Sequence, residues 1–354
     1  MVGATDAAAP APLLLGGCCL VAAVSLLLAC LLHTCTRGRH WIAAPHPEAA
    51  PHPEAAFPTA QWAAAMRACD ARSAAPQIGA NVGAGPDLAA QHLAGETGAL
   101  MLDAIASPLG LRPEDTIFGM VERTHWLDAR WMAALDGGVR QFVILGAGLD
   151  ARAWRLPRLS AEVRIFEVDV PAAVAHKEAA VARLALPHRC ARTAVAADLS
   201  DAARWPAALL ASGFDPGAPS LFLLEGLLQY LPPPAPPALL RAVAGLLAPG
   251  SAAVGDCCVN MIATHAHTQQ VLRAFGTRWS FDLPSRAALR ELLASASLEV
   301  TSLVPVRKRF SPLHAAAAAT AAAAAAVSAG SIAQEAQEEQ EGWEEQEERW
   351  AGEA

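Results

Sequence analysis

The chain has 354 residues, with 26 lysines and arginines against 34 aspartates and glutamates, and a formal net charge of −8. Nine glutamates and one arginine between Gln334 and Ala354 account for all of that charge, which leaves a formally neutral body. A nucleic-acid reader needs a basic face, so that class is excluded. The length suits one large domain with appendages, or two smaller domains.

Eight cysteines occur without a CxxC pair, so neither a zinc site nor a disulfide framework is expected. Leu13 to Leu32 is free of charge and long enough to cross a bilayer as a helix. Asp6 precedes it, whereas Arg37, Arg39 and His40 follow, which predicts that the body stays on the cytoplasmic side. Residues 1–40 are therefore expected to hold a single-pass anchor. A cleaved signal would want a basic start and a shorter apolar centre, so organellar targeting or release by cleavage is the alternative. Residues 41–57 form a stiff spacer, in which APHPEA occurs twice from Ala44 to Ala55. His46 and His52 within it read as solvated side chains.

Thr59 to Leu109 reads as mostly helical, broken near Pro76 and in GANVGAG at Gly79 to Gly85. Pro113 to Leu135 predicts a further helix, closed by Gly137 and Gly138. Its inner face carries Val121, Thr124, Leu127, Trp131 and Leu135, with Arg123 and Asp128 beside it. Charges in such places are usually solvated or paired with each other, but Arg123 also leads towards a possible ligand cleft.

Phe142 to Leu145 is a continuous apolar run, as in a strand buried on both faces of a parallel sheet. Gly146 and Gly148 follow, allowing a sharp turn and close approach of a ligand, and Ala151 to Leu156 starts a helix. Strands then alternate with helices: Val163 to Val168, Ala194 to Ala197, Leu221 to Leu224, Ala252 to Gly255, and an edge strand over Val300 to Val306. The helices between them cover Pro171 to Leu184, Trp205 to Ser212, Ala235 to Leu247 and Leu289 to Ser295. Asp169, Asp198, Glu225 and Asp256 stand at the carboxyl ends of successive strands, on one rim of a doubly wound sheet. Residues 311–354 form an alanine-rich and then acidic tail, which has little to bury.

Two ligands suit a glycine turn followed by an acidic residue after the second strand. Gly146, Gly148 and Ala151 satisfy GxGxxG/A, and Asp169 is spaced for a dinucleotide ribose. S-adenosyl-L-methionine would use Asp169 in the same way, with Asp198 and the Leu199 N–H for adenine, Glu225 for the amino or sulfonium group, and Arg123 for the carboxylate. A rim of carboxylates suits this phosphate-free cation better than a pyrophosphate.

The order of RTHWLD (Arg123 to Asp128), GVRQFVILGAGLDARAWRL (Gly138 to Leu156), FEVDVP (Phe166 to Pro171), ADLS (Ala197 to Ser200), GFDPGAPSLFLLEGLLQYLP (Gly213 to Pro232) and APGS (Ala248 to Ser251) resembles the leucine carboxyl methyltransferase family, in its bacterial branch. The likeness covers about residues 58–310. It implies an α/β, Rossmann-like class I methyltransferase with a mostly parallel seven-stranded sheet and an N-terminal helical cap. It also implies cofactor contacts at Arg123, Gly146, Asp169, Asp198, Leu199 and Glu225. AMRACDAR (Ala65 to Arg72) and GPDLAAQHL (Gly85 to Leu93) keep only part of the DPxA-type segment of relatives, in a region that helps to form the acceptor pocket.

The expected activity is O-methylation of a carboxylate or hydroxyl, on a small molecule or a protein, at a membrane. A carboxylate acceptor needs no general base, and no catalytic residue is assigned. Tyr230, the sole tyrosine, is either an acceptor contact or a core ring with a bonded hydroxyl. No metal site is expected at His265 and His267. The rival readings are an NAD(P)-dependent oxidoreductase and a catalytically silent adaptor.

Overall fold

The pleat of a strand sends successive side chains to opposite faces, so a wholly apolar run needs cover on both sides. Such cover is what the computed structural model shows. It describes residues 56–304 except 185, 187 and 188. All of them belong to the compact unit that starts at Ala49. Three helices come first: α1 (Ala56–Ala71), α2 (Leu88–Ala106) and α3 (Phe118–Asp136). Then follow β1 (Gln141–Leu145), α4 (Arg152–Arg155), β2 (Arg164–Asp169), α5 (Pro171–Leu184), β3 (Ala191–Ala196), α6 (Trp205–Ala211) and β4 (Ser220–Leu224). The described chain continues through α7 (Ala235–Ala244), β5 (Ala252–Gly255), α8 (Met261–Thr264), α9 (Ala266–Ala274) and α10 (Arg286–Ser295).

The sheet is parallel throughout, in the order β3-β2-β1-β4-β5. The chain winds outward from β1 to β3 and then returns to β4, so the strand order reverses between β1 and β4. A ligand of an open α/β sheet binds outside the carboxyl ends at such a reversal. Every residue of β1 and β4 is buried. Phe142, Ile144, Leu221 and Leu223 pack under α1–α3, and Trp131 of α3 stacks on Phe142 with ring centroids 4.3 Å apart. Val143, Leu145, Phe222 and Leu224 face the other way, onto Trp205, Leu209, Leu239 and Val243.

The described residues form five strands, not the seven that the family resemblance implies. Residues 300–304 of the expected edge strand are not in a strand, and Val304 is half exposed. Without an apolar face to bury, β-branched residues there gain nothing from pairing. The helix expected from Pro113 also starts later. Pro113–Asp115 is a separate 3₁₀ turn braced by Arg112 and Asp115, and α3 begins at Phe118. Helices α8 and α9 occupy a stretch for which the sequence offered no elements.

Among the described residues no helix is long and apolar enough to cross a membrane. The expected anchor, the spacer up to residue 55 and the tail from 311 lie outside the described residues.

Candidate active site at the carboxyl rim

The carboxyl ends of the strands carry the predicted residues other than Arg123, and the first of these is the glycine turn. Gly146 adopts φ +68°, a conformation that side chains disfavour, and a Cβ there would come within 2.8 Å of Leu227 Cδ1. The turn is held to β2, because the Gly146 and Ala147 amides donate to the Val168 carbonyl at 2.9 and 3.2 Å. Asp169 caps the arrangement. Its Oδ2 accepts from the Gly148 amide and its Oδ1 from the Val170 amide, both at 2.7 Å. A carboxylate offers about four lone-pair positions. Two are used here, which leaves two for a pair of vicinal hydroxyls. Burial pushes the Asp169 carboxyl above its ordinary range, against the pull of the two amides and Lys177.

Next along the rim is Asp198, exposed, whose Oδ1 accepts from the Ser200 amide and hydroxyl at 2.8 and 2.7 Å. Its neighbour Leu199 turns the other way and is buried with Trp205 and Leu209. One residue is thus polar and open while the next anchors the loop to the core.

At the ends of β4 and β5 the charges interlock. Arg123 comes from the middle of α3 and donates from Nε to Glu225 Oε1 and from Nη1 to Asp256 Oδ2, each at 3.1 Å. Its Nη2 meets Met120 Sδ at 3.3 Å, a weak acceptor. A strong donor is therefore left for a stronger acceptor, and a ligand carboxylate would suit it. Gly226, at φ +61°, allows this approach, since a Cβ would lie 3.3 Å from Arg123 Nη2.

Glu225 is less free than its place at a strand end suggests. It also accepts from Thr124 Oγ1 at 3.1 Å and pairs with Arg152 Nη1 at 2.7 Å. Burial alone would raise its pKa, but Arg152 first, then Arg123 and Arg67, hold it well below the usual carboxylate range.

The sequence missed how far this ion web extends. Arg123 and Asp128 do not pair with each other. Asp128 is wholly buried and receives Arg152 Nε at 2.8 Å and Arg155 Nη1 at 2.6 Å. Arg67 of α1 joins Asp87, the cap of α2, at 3.2 Å and the Leu149 carbonyl at 2.9 Å. The available signal was the spacing of Arg152 and Arg155, which puts both on one side of a helical turn just after the glycines. Asp150 pairs with Arg152 through its side chain and accepts from the Arg152 amide at 2.7 Å. Burial opposes the charge on Asp150, yet Arg152 holds its pKa below the ordinary value.

Asp169 also lines a small cavity, together with Gly148, Glu167, Lys177 and Arg192 among others. Glu167 Oε2 receives Lys177 and Arg192 there, both at 2.6 Å.

Tyr230 closes a short 3₁₀ turn, Leu228–Tyr230, and packs on the cluster of Met101, Leu272 and Trp279. Burial pushes its hydroxyl up to about 12. It thus stays protonated near neutrality, and a proton-abstracting role does not suit it. Burial likewise lifts the Cys257 thiol to about 12 and Cys258 further. Both are free thiols, as are Cys69 and Cys190. No group of three or more metal-ligating side chains occurs among the described residues.

The sequence profile of the leucine carboxyl methyltransferase family matches residues 60–244, more than half of the chain, from within α1 to the end of α7. The chain belongs to this family. A candidate S-adenosyl-L-methionine-dependent methyltransferase of Mycobacterium avium strain 104 is 43% identical over 154 residues, 44% of this chain and 50% of that one. One from Mycolicibacterium smegmatis is 44% identical over 169 residues, 47% of this chain and 55% of that one. The match thus spans about half the length of these curated relatives. Among solved structures, a candidate methyltransferase of Thermobifida fusca has a TM-score of 0.44 and 20% identity, covering 70% of this chain and 89% of that one. Within the family match fall Arg123, the glycine turn, Asp169, Asp198, Leu199 and Glu225, while Asp256 lies beyond it.

Proposed function

We propose that the chain is an S-adenosyl-L-methionine-dependent methyltransferase that forms O-methyl products, esters first among them. The observation that carries this choice over a dinucleotide enzyme is the position of Asp150. A pyrophosphate is held by free amides at the start of the helix after the glycine turn. Here the first amide of α4, that of Arg152, is already bonded to a protein carboxylate, and the helix is a single turn of four residues. An anion would also meet Asp169, whose carboxylate is held by two backbone amides. A ligand with a cationic centre and a vicinal diol meets what it needs.

In this reading Asp169 accepts from the ribose hydroxyls, Asp198 and the Leu199 amide hold the adenine, and Arg123 Nη2 pairs with the methionine carboxylate. Glu225, locked between Arg123 and Arg152, holds Arg123 beside the amino-acid end of the cofactor. When bound, the cofactor supplies a methyl group that an acceptor attacks in line. The protein's share is orientation and electrostatics. No residue here is needed to ionise a carboxylate acceptor. Titration calorimetry with S-adenosylhomocysteine and with NADH tests the reading. Heat with the first ligand alone is expected, and binding of the dinucleotide alone would sink it.

The uncharged stretch Leu13 to Leu32 supports tethering of this domain to a membrane with the catalytic face on the cytoplasmic side. Full-length protein is expected to stay with membranes through carbonate extraction. Its release into the soluble fraction would refute the anchor.

A further inference from the structure

Asp256 follows the last residue of β5, and its amide donates to the Leu224 carbonyl at 3.2 Å, extending the β4–β5 ladder by one bond. Its side chain spans two parts of the rim. Oδ1 accepts from the Gly226 amide at 2.6 Å, and Oδ2 accepts from Arg123 Nη1 at 3.1 Å. Asp256 is thus tied by backbone to β4 and by side chain to both the turn after β4 and the arginine of α3.

We infer that Asp256 is a positioning residue for the amino-acid end of the cofactor: it aims Arg123 Nη2 and holds the Gly226 turn in front of it. The inference rests on the methyltransferase reading above. A guanidinium is planar, with its donors in a rigid fork, so fixing two of its nitrogens sets the direction of the third. Glu225 takes Nε and Asp256 takes Nη1, which leaves Nη2 facing the soft Met120 sulfur. Glu225 is itself held from its far side by Arg152. Asp256 therefore supplies the half of the grip that also sets the Gly226 backbone.

The test uses two ligands that differ at the end in question. S-adenosylhomocysteine carries the amino-acid group, and 5′-methylthioadenosine lacks it. In Asp256→Asn, the amide oxygen keeps a bond to the Gly226 N–H, but the amide nitrogen cannot accept from Arg123. By calorimetry on the full chain, the variant is expected to bind S-adenosylhomocysteine about 10-fold or more weakly. Its affinity for 5′-methylthioadenosine should match wild type. Asp256→Ser, smaller and uncharged, should give the same split and serves if the Asn variant does not fold. Equal weakening of both ligands would make Asp256 a general stabiliser and overturn the assignment, as would no weakening at all. A wild-type chain that binds neither ligand would instead overturn the methyltransferase reading, and this assignment with it.

Discussion

Replacing Asp169 with alanine is expected to lower the affinity for S-adenosylhomocysteine by at least about 100-fold while the protein still unfolds in one cooperative step. Two hydrogen bonds to a charged acceptor are lost, each worth about 1.5–3 kcal/mol. At about 1.4 kcal/mol per factor of ten, their sum reaches two orders of magnitude or more. The side chain also caps the Gly148 and Val170 amides, so some stability goes with it. Both amides are only partly buried, so water can replace the carboxylate, and the loss should stay at about 1–2 kcal/mol.

The sign of the pH dependence follows from burial, which raises the pKa of Asp169. A diol donates best to the ionised form. Affinity should therefore be full above the raised pKa and fall as the pH drops through it, beginning above the ordinary aspartate range. Asp169→Asn should bind weakly and lose that acid limb. Calorimetry at several pH values checks both points, and an unchanged affinity in Asp169→Ala would show that the ribose is held elsewhere.

What could be read from the sequence is what depends on neighbours along the chain. Phe142 to Leu145 announces a doubly covered strand because every position is apolar, and Gly146 and Gly148 announce the turn because no other residue suits that backbone. The strand-end carboxylates follow by counting outward from those runs. The ion web does not, because its partners lie far apart in sequence: 133 positions separate Arg123 from Asp256, and 24 separate Asp128 from Arg152. A helix read by itself leaves Asp128 looking like a solvated charge. Only the folding of α4 against α3 brings the two arginines that bury it. Similarly, Val300 and Val304 have strand propensity yet form no strand among the described residues, because propensity alone decides little.

Arg152→Met is expected to cost more stability than any substitution on the protein's surface. Arg152 is 1% exposed and faces Asp128, Asp150 and Glu225 at once. A buried ion pair, weighed as a whole, contributes little, since desolvation offsets much of the attraction. Removing one partner is a different matter, because the survivors keep their desolvation and lose their compensation. Asp128 retains Arg155 and Glu225 retains Arg123, but Asp150 loses its direct partner. The expected loss is about 3–5 kcal/mol. For a domain of this size, where 1 kcal/mol shifts Tm by about 2–4 °C, that is roughly 6–20 °C.

The effect should also depend on pH in a way that identifies its source. Arg152 holds the pKa values of Asp150 and Glu225 below their unfolded values, so their contribution is present above the ordinary carboxylate range and is lost only on acidification. The gap between wild type and Arg152→Met should therefore narrow as the pH falls into that range. Arg158→Ala is the control. Its pair with Asp136 is more than half exposed on both sides, and its removal should change stability by no more than about 1 kcal/mol. Thermal melts of the three proteins at pH 7 and pH 4 make the comparison. Equal melting temperatures for Arg152→Met and Arg158→Ala would mean that the web beneath the rim does not hold it in place.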